Sequence, residues 1–204
     1  MASLHDHFEA ALRDMGIPAL PCALTRICPA SVRFDLVGDE KPYLADHRKP
    51  SGAYIQKALE RGLQIYEALP QAPELLLIHR DKEDAEDLPL SALERLGLPQ
   101  PDQIFSTDSR EYFYWALPKE PPYLRRLLRE IIRGELDAQG LDLLCGNVYF
   151  LNTRQKLLFH LQDDRLAYAA AEDPDSLTYL WKTFRDWIPQ EEQQRTQRLL
   201  SLDG

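Results

Sequence analysis

Residues 147–170 read NVYFLNTRQKLLFHLQDDRLAYAA, and this stretch decides the fold. Two runs rich in aliphatic and aromatic side chains, 147–151 and 156–161, flank the polar residues 152–155. Apolar runs of this length around a short polar turn are typical of a β-hairpin. A third short apolar run, 166–170, follows closely. The stretch therefore predicts a hairpin and a third strand in a mostly antiparallel sheet.

The same periodicities predict further elements along the chain. Alternating or continuous apolar runs predict strands at 31–37, 74–79, 104–106 and 111–117. Apolar residues three and four apart, preceded by capping residues or prolines, predict helices that begin near Ser3, Ser51, Pro89 and Pro121. Asp173 and Pro174 begin a last strong helix that ends at Pro189, and the polar residues 191–204 predict a frayed terminal helix.

These elements belong to one domain, because no repeat or low-complexity linker divides the chain. The order strand, helix, strand over residues 31–79 is compatible with a right-handed crossover. An antiparallel arrangement of those two strands is also open. We predict a single α+β domain over residues 1–204, with a mixed or mostly antiparallel sheet, flanking helices and a C-terminal β-hairpin followed by a helix. Residues 1–30 form an N-terminal helix and connector, and residues 190–204 a polar C-terminal tail.

Composition excludes several classes of protein. The chain has 204 residues and a net charge of -9, from 33 acidic and 24 basic side chains, which argues against nucleic-acid binding through phosphates. No apolar run is long enough to cross a membrane, and the N-terminus lacks the basic and apolar regions of a signal peptide. The three cysteines match no zinc-binding spacing. We expect a cytoplasmic protein with reduced cysteines, no metal and no cofactor.

One segment, His160 with Asp163, Asp164 and Arg165, carries residue types that could shuttle a proton or hold a metal. Neighbouring strand residues point to opposite faces, so the two aspartates converge only if the backbone turns there. The alternative is a turn fixed by aspartate-to-backbone hydrogen bonds, with Arg165 paired to a carboxylate. No other catalytic motif is present, so these four residues are weak candidates and no catalytic residue is assigned.

Two charged segments are candidate binding surfaces. Residues 81–87 read DKEDAED, in which five acids and one lysine give -4, and they lack the glycine of a calcium-binding loop. They form either a solvated loop or a surface for a partner, with the acids Asp81, Glu83, Asp84, Glu86 and Asp87. Arg125, Arg129 and Arg133 recur every four residues on the predicted helix 121–136. They form either a solvated face with ion pairs or a site for an anion.

Several stretches in this order resemble a bacterial family known as domain of unknown function 3885. They are SVRFDL at 31–36, Tyr54 with ALERGLQIY at 58–66, YW at 114–115, VYFLN at 148–152, His160, DDR at 163–165, Leu177, Leu180 and WI at 187–188. The resemblance covers roughly residues 30 to 190. The family's pattern has a tyrosine before the Asp-Asp-Arg, a glycine after it and another aspartate soon afterwards. Here those places hold Gln162, Leu166 and Tyr168. The resemblance implies this fold and a bacterial cytoplasmic protein, and no assigned reaction.

The leading hypothesis for function is a non-enzymatic acidic binding protein, of the immunity or inhibitor kind, that masks a basic protein partner. Its basis is the net charge of -9, the acidic segment 81–87 and the absence of a catalytic constellation. Complementary charge speeds association and selects the partner. The alternatives are a hydrolase that uses His160 and residues 163–165, and a binder of small anionic ligands that uses the arginine row. The sequence leaves the partner and the oligomeric state open.

Overall fold

The computed structural model describes residues 2–18, 20, 24, 28, 30–44, 49–82, 90–136 and 144–199. Among these residues, no helix has both the length and the apolar character needed to cross a membrane.

Seven strands form one sheet. They are β1 (Ser31–Asp35), β2 (Leu75–Asp81), β3 (Gln103–Ser106), β4 (Arg110–Ala116), β5 (Val148–Asn152), β6 (Leu157–Leu161) and β7 (Leu166–Ala171). Their order across the sheet is β1-β7-β6-β5-β2-β4-β3, and every neighbouring pair is antiparallel. The prediction of an α+β fold with a mostly antiparallel sheet is confirmed.

The stretch 147–170 forms the centre of this sheet as three consecutive strands, β5, β6 and β7. The tight turn between β5 and β6 is held by Asn152, whose Oδ1 accepts a hydrogen bond from the backbone N of Gln155 at 2.8 Å. Every residue of β5 and β6 is buried, because helices cover both faces of the sheet there. This explains why the two runs are nearly continuous in apolar residues rather than alternating.

The strand–helix–strand unit predicted over residues 31–79 does not place its two strands, β1 and β2, side by side. Four antiparallel pairings separate β1 from β2, so the two strands run in the same direction. Three strands, β7, β6 and β5, lie between them. The connection between β1 and β2 therefore joins parallel strands that are not neighbours.

Six α-helices pack around the sheet in the described part of the chain. They are α1 (Leu4–Asp14), α2 (Gly52–Glu67), α3 (Leu90–Leu96), α4 (Leu124–Gly134), α5 (Thr178–Thr183) and α6 (Gln190–Leu199). The caps predicted for two of them are present, since Oγ of Ser3 accepts from the N of Asp6 and Oγ of Ser51 from the N of Tyr54. Both hydroxyls satisfy backbone donors that the first helical turn leaves unpaired.

The sheet has a separate hydrophobic core on each face. On the face that we call the α2 face, helices α2 and α4 cover strand residues such as Phe34, Ile78 and Phe159. On the other, the α1 face, helix α1 together with Leu24 and Cys28 covers Leu77, Tyr149 and Tyr168. Strand β4 divides its aromatic residues by alternation, with Tyr114 on the α1 face and Phe113 and Trp115 on the α2 face.

The C-terminal region differs in detail from the prediction. The expected helix over 174–188 is broken into a 3₁₀ turn at Pro174–Leu177, helix α5, and a second 3₁₀ turn at Arg185–Trp187. Beyond it, the segment expected to be frayed forms α6, which docks on β1. Arg195 donates to the carbonyl of Ser31 at 3.2 Å, and Thr196 is fully buried. These contacts explain why a strongly polar helix is held in place.

Candidate functional site

Asp163 shapes the turn between β6 and β7. Its Oδ1 accepts hydrogen bonds from the backbone N of Arg165 at 2.8 Å and of Leu166 at 2.7 Å. The side-chain amide of Gln162 donates to the other oxygen at 3.1 Å. Burial raises the pKa of Asp163, while the two backbone amides oppose that rise. This is the local aspartate turn that the sequence offered as the alternative to a catalytic site.

Asp164, the next residue, makes a different kind of contact. It is buried, and its Oδ2 accepts a 2.6 Å hydrogen bond from the hydroxyl of Tyr54 in α2. Burial raises the pKa of Tyr54, and the bond to Asp164 raises it further, so the phenol stays protonated as the donor. Asp163 therefore holds its own turn, whereas Asp164 ties that turn to α2.

Arg165 forms no ion pair with either of these two aspartates. Its side chain is half exposed, and Nη2 lies 3.8 Å from Oδ2 of Asp35 at the end of β1. The same nitrogen lies 3.4 Å from the carbonyl oxygen of Gly38. The ion pair expected for Arg165 thus forms with a carboxylate of β1.

His160 lies on the α1 face of β6, between Phe159 and Leu161, which face the other side. Its Nδ1 is 2.8 Å from the carbonyl oxygen of Val148, and its ring stacks on Tyr149 with centroids 4.2 Å apart. Burial lowers the pKa of His160 to about 4, so the ring is neutral at pH 7. Since Asp164 contacts Tyr54 on the α2 face, the structure does not bring the four candidate residues together.

His160 belongs to a row of rings that crosses four strands on the α1 face. His79 of β2, Tyr149, His160 and Tyr168 of β7 follow one another with centroid separations of 5.8, 4.2 and 6.1 Å. His79 is buried, and neither of its ring nitrogens has a hydrogen-bond partner. Burial, with the nearby charge of Arg110, lowers its pKa to about 4. This row could not be predicted from the sequence, because the register between strands is not visible in the separate strands.

Cys145, predicted from the sequence only to be reduced, lies next to the β6–β7 turn. Its Sγ donates to the carbonyl of Gln162 at 3.3 Å. Burial raises the pKa of the thiol, and the charge of Glu135 raises it further. A protonated thiol is a poor nucleophile. Within the described ranges, no three histidine, cysteine, aspartate or glutamate side chains are placed to hold a metal ion.

The arginine row lies on the outer face of α4. Arg125 and Arg129 are exposed, and no carboxylate of the described residues lies within ion-pair distance of either. Arg133 is half-buried and pairs with Glu130 at 3.2 Å. The three predicted binding residues therefore divide into two that are exposed to solvent and one that is partly neutralised.

The acidic segment is described only at its start. Asp81 ends β2, and its Oδ1 accepts a 2.5 Å hydrogen bond from Nε of Arg110 in β4. Glu83, Asp84, Glu86 and Asp87 lie outside the described residues. The one acid of this segment that the structure describes is thus already paired.

A comparison with protein families gives a match that covers most of the chain. The profile of the family described as "Domain of unknown function (DUF3885)" matches residues 4–192. The chain belongs to this family. Neither the curated proteins nor the solved structures gave a match. The DUF3885 match includes all seven strands and the β6–β7 turn.

Proposed function

We propose that this DUF3885 protein is a non-enzymatic binding protein of the bacterial cytoplasm, of the immunity or inhibitor kind, with a basic protein as its partner. One observation carries the proposal. The segment richest in reactive residue types is used to hold the fold, because Asp163 binds backbone amides, Asp164 binds Tyr54 and His160 is enclosed in the core. Such a segment supplies no converging acid and base, which leaves a hydrolase with the least support.

The charge of the chain supports a basic partner. A net charge of -9 attracts cationic surfaces at long range and accelerates their encounter at low salt. Asp81 and Glu111 are neutralised by Arg110 and Arg80. The attraction in this proposal therefore rests on the remaining acids, including those of residues 83–87.

Affinity capture from the native host, followed by a binding titration with the purified partner, tests the proposal. We expect one stoichiometric basic protein whose association slows as salt rises. Neutralising Glu83, Asp84, Glu86 and Asp87 to their amides should slow association further. The matched control neutralises Arg125 and Arg129 to glutamine, which should leave association unchanged or faster. If no stable partner is recovered at low or at high salt, the proposal fails.

A second candidate is the binding of a small anionic ligand by the arginine row. The exposure of Arg125 and Arg129, and the lack of a carboxylate near them in the described part of the chain, favour it. Pyrophosphate is a suitable probe in a thermal-shift titration. Stabilisation of the wild-type protein, lost in the Arg125→Gln/Arg129→Gln variant, would support this candidate. Equal behaviour of the two proteins would count against it.

A further inference from the structure

The two outer strands of the sheet, β1 and β3, differ in whether their outward backbone groups have hydrogen-bond partners. A strand at the edge of a sheet has backbone groups that point outward with no neighbouring strand to bind them. Proteins usually cover such an edge or occupy its hydrogen-bonding groups, because a bare edge can pair with another chain. The contrast between β1 and β3 therefore indicates where this protein can accept a strand.

The β1 edge is closed by arginine side chains. The backbone N of Leu36 donates to the carbonyl of Arg165. The backbone N–H and C=O groups of the even-numbered residues of β1 therefore point toward β7, and those of the odd-numbered residues point outward. Two of the outward carbonyls have partners, since Nη1 of Arg195 in α6 reaches Ser31 at 3.2 Å and Nη1 of Arg61 in α2 reaches Asp35 at 3.1 Å. Helix α6 packs along this strand.

Helix α1 contacts the β3 side chains, since the backbone N of Leu4 donates to Oε1 of Gln103 at 2.7 Å, but no described side chain binds the outward backbone groups of this strand. The backbone N of Thr107 donates to the carbonyl of Arg110, which places the hydrogen-bonding groups of Phe105 and Gln103 toward β4. Those of Ile104 and Ser106 consequently face outward, where no described group binds them. The side chain of Ile104 is 52% exposed. The carbonyl of Thr107 lies on the β4 side, like its N–H, and accepts a hydrogen bond from Lys82 there at 2.5 Å.

We propose that β3 is a docking edge for an extended, basic segment of a partner protein, which adds to the sheet as an eighth strand. This inference rests on the proposed function and supplies its mode of recognition. Of the acids in residues 102–111, Asp102 and Asp108 have no ion pair among the described residues, whereas Glu111 is paired with Arg80. Asp102 and Asp108, at the two ends of β3, are both exposed. Backbone bonds to Ile104 and Ser106 give affinity, and these carboxylates select lysine or arginine on the incoming strand.

A second copy of this chain does not suit the same edge. Two copies would bring together two acidic edges, each from a chain of net charge -9. Charge therefore favours a basic segment over self-association.

The test uses the full chain and an eight-residue peptide of alternating lysine and valine. Amide hydrogen exchange is followed by NMR with and without the peptide. We expect the Ile104 and Ser106 amides to exchange at least tenfold more slowly when the peptide is bound. A peptide of alternating glutamate and valine should give no protection. Exchange that is unchanged at Ile104 and Ser106 under saturating lysine–valine peptide would overturn the proposal.

Ile104→Pro is the matched variant, because it removes an outward N–H without removing a bond to β4. We expect at least a tenfold loss of peptide affinity. Ile104→Lys keeps the backbone and adds a like charge, so it gives the same direction of change if the proline variant folds poorly. A partner captured as described above that binds wild type and both variants equally would overturn the β3 proposal and leave the binding function standing. Peptide binding at β3 without any captured partner would support the edge and contradict the wider function.

Discussion

The hydroxyl of Tyr54 donates a 2.6 Å hydrogen bond to Oδ2 of Asp164, across 110 residues of sequence. Both side chains are buried, so this bond joins α2 to the β6–β7 turn inside the protein. If a buried carboxylate loses its hydrogen-bond donor, its desolvation free energy is no longer offset by a hydrogen bond. Removal of the Tyr54 hydroxyl oxygen alone should therefore lower the stability of the protein substantially.

Tyr54→Phe removes only the donor hydroxyl and should lower the free energy of unfolding by about 1–3 kcal/mol. Tyr66→Phe is the matched control on the same helix, because the Tyr66 hydroxyl is buried with no hydrogen-bond partner. That change should be neutral or stabilising. Urea denaturation of the three proteins measures both effects. Equal losses in the two variants would contradict a specific role for the Asp164 bond.

The histidines of the aromatic row should make stability depend on pH. His79 and His160 have a pKa of about 4 in the folded protein, against about 6.5 in an unfolded chain. Between these values the unfolded chain binds more protons. The free energy of unfolding should therefore be unaffected by these histidines above pH 6.5. As the pH falls from 6.5 toward 4, it should decrease by roughly 1 kcal/mol per pH unit for each histidine.

His79→Phe isolates one of these two contributions, because the ring of His79 makes no hydrogen bond that phenylalanine would lose. We expect the variant to be as stable as wild type, or more so, at pH 7 and clearly more stable than wild type at pH 4.5. Chemical denaturation across this pH range provides the measurement. Parallel stability curves for the two proteins would show that His79 does not titrate as proposed.

Arg125 lies in the first turn of α4, where the helix dipole disfavours a positive charge. That turn contains no acid, and the N-cap residue Tyr123 makes no side-chain cap. Arg125→Glu should therefore raise stability by about 0.5 kcal/mol at low salt, with a smaller gain at high salt. Arg125→Gln should give an intermediate gain. Thermal denaturation at two salt concentrations checks both, and a loss of stability in Arg125→Glu would contradict the electrostatic argument.

Gly97 follows α3 with a φ of 92°, a conformation that residues with a Cβ rarely adopt. A methyl group there would also approach Nη2 of Arg126 to 2.7 Å. Gly97→Ala should destabilise the protein by about 1 kcal/mol. Gly52→Ala is the control, because it adds a methyl group in open space at the start of α2 and should stabilise by about 0.5 kcal/mol. We expect the changes in the free energy of unfolding of the two variants, measured by urea denaturation, to have opposite signs. Changes of the same sign would refute the conformational explanation.

Local structure could be predicted from the sequence because its causes are local. The runs at 147–151 and 156–161 give a hairpin through turn chemistry and burial, and β4 divides its aromatic side chains by simple alternation. The Asp163 turn depends only on amides two and three residues away. A sequence contains all of this information within a few positions.

Arrangement at long range could not be predicted in the same way. Asp163 and Asp164 are chemically identical, and their different roles depend on α2 being packed over one face of the sheet. Asp164 meets Tyr54 because helix α2 covers one face of the sheet, whereas His160 stacks on Tyr149 on the opposite face. Such relations follow from topology and register, which the hydrophobic pattern of individual strands does not record.

The sheet order has a consequence for how the protein is made. β1 pairs only with β7, and their partner residues, from Asp35 with Leu166 to Ser31 with Ala170, are more than 130 positions apart. A ribosome therefore releases β1 long before the strand that completes it exists. Throughout that interval the apolar side chains of Val32 and Phe34 have no strand beside them, and nascent chains in this state are natural clients of chaperones. β1 therefore becomes part of the sheet only after translation has passed β7.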